Sequence, residues 1–565
     1  MPEFEFNTQQ RIAKDTRGRG LLVAAAAGSG KTRVLTERLM QYVRDPESNA
    51  GLDRFLVITY TRAAAAELKS RITEALGKEL KEHPENKHLL RQLALSRKTH
   101  IQTIHGFCAD VIRQYGHSAG ISPDFKILEE ERAGVMKSSA LAAVIEEHYA
   151  NPERYPGFTE LAESLYSNRK DDDLFDSVLT VYEKMQSHAF PMKWAQVQLD
   201  VLSAPKTDVA GTVWGREIID RALVCAGYWR NLIKGYIDLL QNNENGVDRN
   251  NKIRNGYMSG LCEVFDVLDG IMLAAESKTD SWGKIKSSFK TKYDSRMNTP
   301  RKDYNVELAQ EIKSAVDDAK DEIVKLKKLF SSESDVLIGE VEKTVTEVRA
   351  LVELVEAFTR RYGEEKSRLG FLDYSDLEHV AVGLLVDSNG NPTDVASDIS
   401  KHFSEILVDE YQDVSEVQND IISSVSRGGT NLFMVGDVKQ SIYSFRLADP
   451  RIFTDKCRKF TDISADGDTS ALLPDVSATV FMNKNYRSRR EIIDGVNAVF
   501  ECCMSPSVGD VEYSGGEELC FAADYFEGEG FAPEFMLIDK GSHVDAGMRP
   551  SELEAETVAE RYPRL

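Results

Sequence analysis

Eight residues near the start of the chain and two far downstream carry the clearest chemical signal. Ala25-Ala26-Ala27-Gly28-Ser29-Gly30-Lys31-Thr32 follows the phosphate-loop pattern, with Ala25 standing in the position of the first glycine. A loop of this kind joins a strand to a helix, so that backbone N–H groups and the helix N-terminus surround a β-phosphate. Lys31 is then expected to reach the β- and γ-phosphates, and the Thr32 hydroxyl to bind Mg2+. Such a site also needs a carboxylate on a second strand to hold the metal through water, and a neighbouring group to orient or deprotonate the attacking water. Ile406-Leu407-Val408-Asp409-Glu410 offers both at the C-terminal end of an apolar run, where open α/β sheets place their ligands. Asp409 is the expected metal residue and Glu410 the expected partner of the water.

The elements that must position these residues are legible as alternation. Leu21-Leu22-Val23-Ala24 reads as a buried strand, followed by the loop and a helix from about Thr32 to Val43. Phe55-Leu56-Val57-Ile58 is a second strand, followed by an Ala-rich helix to about Leu76. Strand–helix alternation predicts an α/β fold with a parallel sheet covered by helices. From about Tyr115 to Gly370 the texture becomes long, charged and helical. Val341, Val345, Val348, Val352 and Val355 put one apolar stripe on a helix there. Strand-like runs return at Ile406–Val408 and Leu432–Val435. The 378 positions between Lys31 and Asp409 therefore require a sheet that starts before residue 110, is interrupted by a large helical insertion, and resumes after residue 370. A new segment begins after about Leu473; Ser551–Glu560 reads as a helix starting just before Leu565, so the chain is expected to be cut short.

Composition bounds the class. At 565 residues, 42% hydrophobic and 29% charged, the chain is long enough for several domains and reads as an ordinary globular protein. No apolar run approaches the ~18–20 residues of a membrane span, and Met1-Pro2-Glu3-Phe4 is no signal peptide. Seven cysteines are scattered without a CxxC pair or iron–sulfur spacing, which fits a reducing cytoplasm. The net charge of −22 is unevenly spread: residues 1–120 hold 19 basic against 13 acidic side chains, and the last 65 residues hold 4 against 15. A local basic surface can bind phosphates on an acidic molecule, so nucleic acid is not excluded.

Further motifs, in order, resemble the UvrD/Rep/PcrA-type superfamily 1 DNA helicases. Phe6-Asn7-Thr8-Gln9-Gln10 is similar to their Q motif, and Thr59–Leu68 (TYTRAAAAEL) to motif Ia. Thr103-Ile104-His105-Gly106-Phe107-Cys108 resembles motif Ib, and Asp409-Glu410-Tyr411-Gln412-Asp413 motif II. Gly436–Arg446 (GDVKQSIYSFR) resembles motif III, and Asn485-Tyr486-Arg487-Ser488 motif IV. Ala24–Ala27, Thr103–Cys108, Leu372–Glu378 (LDYSDLE) and Phe445–Pro450 lean toward the AddA-type helicase–nuclease branch, with RecB-type chains as near relatives.

The resemblance implies a RecA-like P-loop NTPase sheet (domain 1A, residues 1–114 and 371–473), an inserted mostly helical subdomain (1B, 115–370) and the start of a second RecA-like domain (2A, 474–565). It also implies roles. The loop residues Ala25 to Thr32 would cradle ATP with Mg2+. Gln10 would bond the adenine edge, Tyr486 stack on the ring, Gln440 sense the γ-phosphate, and Arg487 act as an arginine finger. Tyr443, Phe445 and Arg446 would meet stacked bases; core packing is the competing reading for Phe445 and for Tyr443. Thr59, Thr61, Arg62, Thr103 and His105 would touch the DNA backbone, with a hydrogen-bonded structural histidine as the alternative for His105. Ile104 stands where an aromatic is often found. The implied partners are single- and double-stranded DNA together with an AddB-like nuclease subunit. The implied activity is 3′→5′ ATP-driven translocation in double-strand break repair. No counterpart of motif V, motif VI or a C-terminal nuclease is recognised, so this chain is expected to bind ATP·Mg2+ weakly and to unwind little. A stand-alone UvrD-like repair helicase and a non-catalytic nucleotide-binding scaffold are the other two readings.

Overall fold

A computed structural model describes residues 5–46, 50–165, 172–243, 247–277, 279–293, 297–299, 304–443, 445, 447–465, 476–505, 509, 511–513, 515–525, 534 and 536. Arg446, the expected helix at Ser551–Glu560 and Arg561–Leu565 lie outside these residues. The chain divides into two compact units, one made of residues up to Asp124 with those from Asp376, the other of Phe125–Ser375. The sequence-based bounds of the insertion, 115 and 370, fall ten residues short at the start and five at the end (125 and 375). The helix Ile104–Tyr115 and the turn after it stay with the first unit.

In the first unit the apolar runs become strands because each is buried on both faces. Leu21–Ala25, Phe55–Thr59 and Leu432–Gly436 are buried at every position, the continuous pattern of a parallel sheet covered by helices rather than an alternating one. Among the described residues the sheet has seven parallel strands in the order His100–Thr103, Phe55–Thr59, Glu405–Val408, Leu432–Gly436, Leu21–Ala25, Ala478–Met482, Thr461–Asp462. Val57 stands beside Leu407 and Val23 beside Val435, so the ends of strands separated by hundreds of residues come level. The strand Ala478–Met482 pairs with Leu21–Ala25 along its whole length. That corrects the expected boundary at 474: this segment completes the first sheet instead of opening another domain, because its apolar run Ala478–Val480 is buried against the neighbouring strand and the core.

A charged pair lies within this core. Arg38, 1% exposed, donates from Nε to both carboxylate oxygens of Glu405 at 3.1 Å and from Nη1 to the Ala13 carbonyl at 2.8 Å. Its guanidinium also stacks on Phe433, 4.5 Å from the ring centroid. Both buried charges of the pair thus have partners, which is the condition for their tolerance.

The second unit is helical. Val213–Asn242, Lys252–Ala275 and Val306–Leu329 pack into one core, and Glu130–Ala150, Asp172–Gln186 and the 36-residue helix Ser334–Leu369 into another. The valine stripe lies on that long helix, but its deepest face is Ala350, Leu354, Val355, Phe358 and Tyr362. Val348 and Val352 instead line a cavity of about 640 Å³ together with Met185, Trp194 and Trp214. Where the chain enters and leaves the unit, Lys126–Ile127 pairs in parallel with Phe371–Leu372. Beneath that exit Lys366 and Tyr362 both bond Asp373, at 2.8 and 2.9 Å.

Candidate nucleotide and nucleic-acid site

The site grows from the C-terminal edge of the first unit's sheet. Ala25 ends its strand, Gly30 caps the helix Lys31–Arg44, and the turn between them carries the phosphate loop. Apolar burial holds the strand below, while the loop is fixed by polar contacts from elsewhere. Asn485 donates from Nδ2 to the Ala27 carbonyl at 2.8 Å, and the Tyr486 N–H donates to the Gly28 carbonyl at 3.0 Å. Gly28 has φ of 69°, and a Cβ there would sit 2.8 Å from the Asn485 amide. Both backbone sign and space therefore demand glycine. The Ser29 hydroxyl is buried with no hydrogen-bond partner, an orphan of the kind a bound phosphate satisfies.

The distant acids arrive through the neighbouring strands. Asp409 follows the strand Glu405–Val408, and its N–H donates to the Ile58 carbonyl at 2.9 Å. Its carboxylate accepts from the Glu410 N–H at 3.1 Å. Glu410 has a left-handed backbone, φ 51°, a conformation uncommon for a non-glycine residue. Glu410 Oε2 lies 3.2 Å from Lys31 Nζ. Burial first, and the adjacent Glu410 second, push the Asp409 carboxyl up to about 6. The same two causes raise Asp413 to about 6. A buried carboxyl with a raised pKa beside a threonine at a helix start is a hard-oxygen donor set, which suits a divalent cation of the Mg2+ type. Thr32 and Asp409 are the residues that would hold it. Among the described residues no group of three or more His, Cys, Asp and Glu could hold a metal by itself.

Other expected residues gather at the same loop. Gln10 is 6% exposed; its Nε2 donates to the Ser29 carbonyl at 2.9 Å, and its Oε1 accepts from the Asn7 N–H at 3.0 Å. It braces the phosphate loop and closes a capping box at the head of Thr8–Asp15. Asn7 in turn donates to the Tyr486 hydroxyl at 2.6 Å, bringing the two residues expected around adenine to one side of the loop. Arg487 is exposed; its N–H donates to Asn485 at 2.8 Å and its carbonyl accepts from Tyr525 at 2.6 Å. Gln440 donates to Asp437 Oδ2 at 2.7 Å. Asn485 is the functional residue that sequence reasoning passes over: its type marks it only as the first letter of a motif, yet it clamps loop and motif together.

The residues expected on DNA divide. Thr59 is 2% exposed and donates its hydroxyl to the Thr61 carbonyl at 3.1 Å. It shapes the turn and offers nothing outward, which corrects the expected backbone contact there. Thr61 and Thr103 cap helices, accepting from Ala64 at 3.1 Å and Gly106 at 3.3 Å; Arg62 is exposed at the start of the helix Arg62–Glu82. His105 Nε2 lies 3.2 Å from Glu378 Oε1, the contact of the structural-histidine alternative. Tyr443 stacks on Tyr60, centroids 4.6 Å apart and planes 27° apart, and lies 5.8 Å from the Phe445 ring. Phe445 is 73% exposed, so core packing does not account for it. Tyr60 escapes sequence reasoning, because its alternation with Thr59 and Thr61 reads as part of a strand edge.

Among the described residues no helix is long and apolar enough to cross a membrane. The model of the UvrD/REP helicase N-terminal domain matches residues 6–461. The chain is 35% identical over 565 residues to the AddA subunit of the ATP-dependent helicase/nuclease of Geobacillus kaustophilus, an alignment that covers 97% of this chain and 44% of the relative. It is 35% identical over 544 residues to the protein of the same name from Ruminiclostridium cellulolyticum (94% and 42%), and 33% identical over 558 residues to that of Listeria monocytogenes serotype 4b (97% and 44%). The chain thus spans less than half the length of the curated relatives it matches. With a family match over most of its length and that family's motifs along one sheet edge, the chain belongs to the UvrD/REP helicase family.

Proposed function

We propose that this chain is the ATP-hydrolysing motor portion of a 3′→5′ DNA helicase of the AddA type, working with an AddB-like nuclease subunit in the cytoplasm on single- and double-stranded DNA. The observation that carries the reading is the meeting of Lys31 with Glu410 at 3.2 Å beside the buried Asp409. Loop N–H groups and Lys31 bind the β- and γ-phosphates, Thr32 and Asp409 hold Mg2+, and Gln10 with Tyr486 flanks the base. Bound Mg2+ would supply a positive charge against that developing on the phosphate oxygens. Glu410 orients the water, whose oxygen bonds the γ-phosphorus as the bond to the β–γ bridging oxygen breaks, and accepts the water proton; ADP and phosphate result. Gln440 and Arg487 complete the charge stabilisation.

Tyr443 and Phe445 lie three and five residues past Gln440, so nucleotide state and strand grip share one short segment. Base–aromatic stacking of ~1–3 kcal/mol per base holds a strand without reading its sequence. The scaffold reading is disfavoured because Lys31, Thr32, Asp409, Glu410, Gln440 and Arg487 are all present. Phosphate release measured with and without single-stranded DNA tests the proposal: DNA accelerates it, and Lys31→Ala abolishes it. No acceleration by DNA in a protein of the relatives' full length would return the scaffold reading.

A further inference from the structure

One side chain ties the two phosphate-facing motifs together. Gln412 is 1% exposed and uses both ends of its amide. Its Nε2 donates to Glu410 Oε2 and to Asp413 Oδ2, each at 3.1 Å. Its Oε1 accepts from the Asp437 N–H at 3.0 Å. Asp437 in turn holds Gln440, accepting from its amide at 2.7 Å, and caps the short turn Val438–Gln440. The Ser441 hydroxyl returns to the Gln412 carbonyl at 3.5 Å. The seat is built for this amide, since a Cβ on Gly436 would lie 2.3 Å from Gln412 Oε1. An apolar residue at 412 would leave buried carboxylate oxygens and a buried N–H without a partner.

We propose that Gln412 is a positioning residue for ATP hydrolysis: its amide fixes Glu410 relative to the turn that carries Gln440, so that the water-directing carboxylate and the γ-phosphate sensor are aligned together. The inference rests on the nucleotide-site reading above. Glu410 Oε2 accepts from both Lys31 and Gln412. When Lys31 turns to a triphosphate, Gln412 is the donor that keeps Glu410 aimed. Gln412 touches no substrate in this account; it acts through Glu410 and Asp437. Its contribution should therefore appear only when something occupies the γ-phosphate position.

Comparing Mg2+·ADP with Mg2+·ADP·beryllium fluoride, titrated calorimetrically into the 565-residue chain, reads that contribution without needing turnover. The wild-type chain should bind the fluoride complex about tenfold or more tighter than ADP, as expected when a site is complementary to the filled γ-position. Gln412→Leu should keep ADP affinity within about twofold and lose most of that margin. Gln412→Glu, nearly the same shape but unable to donate, should lose it equally, and unfolding temperatures verify that both variants are folded. The proposal is overturned if either folded variant keeps the margin, or if the wild type binds ADP and shows none. Loss of ADP binding in both variants would also overturn it, because that marks a structural role alone. Failure of the underlying site reading looks different: the wild-type chain would not bind ADP, or Lys31→Ala would bind it unchanged.

Discussion

The ammonium of Lys31 lies 3.2 Å from a carboxylate oxygen of Glu410, although 379 positions of sequence separate them. Both side chains are partly open, 13% and 36% exposed, so the pair contributes little to stability. Its meaning is functional: the phosphate-binding cation and the water-directing anion occupy one cleft, and each is held by the other until a more highly charged phosphate displaces the carboxylate. Removing the cation should therefore cost binding and not folding. Lys31→Ala is expected to weaken ADP binding about tenfold or more, with a hydrolysis loss of about 10²–10³ and an unfolding temperature within about 1 °C of wild type. Titration with a fluorescent ADP beside a thermal melt measures both.

The acid cluster predicts a pH dependence. Burial and Glu410 raise the folded-state pKa of Asp413 to about 6 from an ordinary value near 3.8. The folded protein thus holds that proton more tightly than the unfolded chain. The resulting stabilisation is complete below about pH 4 and is lost as pH rises through about 6. Asp413→Asn removes the penalty of ionising a buried group, so at pH 7.5 it should melt about 1–3 °C above wild type, and the difference should shrink toward pH 4.5. Melting curves across that range check the sign; a gap that widens on acidification contradicts it.

Arg38 and Glu405 make the opposite case, a buried pair that must be broken to be felt. Arg38→Ala leaves the Glu405 carboxylate, 4% exposed, without its partner, at a cost of about 3–5 kcal/mol. Replacing both, Arg38→Met with Glu405→Leu, should recover most of it. Urea unfolding of the three proteins measures the cycle.

The aromatic ladder and the basic helix start should separate in salt. Phe445→Ala and Tyr443→Ala are each expected to weaken single-stranded DNA binding by about 1–3 kcal/mol with an unchanged salt slope. Tyr60→Ala should reproduce part of the Tyr443 loss through their stacking. Arg62→Ala should instead lower the salt slope by about 0.7, the value for one phosphate contact on a single strand. Fluorescence anisotropy at several salt concentrations distinguishes them.

Most of the sheet is legible in the sequence because its strands are short, fully apolar runs ending in chemistry, as at Leu21–Ala25 and Glu405–Val408. His100–Thr103 is not, since its half-buried polar residues at a sheet edge carry no apolar run. Ala478–Met482 is apolar enough, but its place beside Leu21–Ala25 is a long-range pairing that no local pattern encodes. In the site, residue types single out Lys31, Asp409 and Glu410, whose chemistry is unusual at such spacing. Asn485, Tyr60 and Gln412 act through contacts to backbone or to other side chains, and only the folded geometry distinguishes them from ordinary motif letters. Thr59 shows the converse: its type suits a DNA contact, while the turn it shapes keeps its hydroxyl inside.

The most direct measurement of the central claim separates binding from chemistry at Glu410. ATP binding and phosphate release are compared for the wild-type chain and Glu410→Gln, with single-stranded DNA present. Lys31, Thr32 and Asp409 remain in the variant, so the account predicts ATP affinity equal to or tighter than wild type and hydrolysis slower by about 10²–10³. Wild-type hydrolysis by Glu410→Gln would contradict it, because the carboxylate that meets Lys31 would then have no part in directing the water.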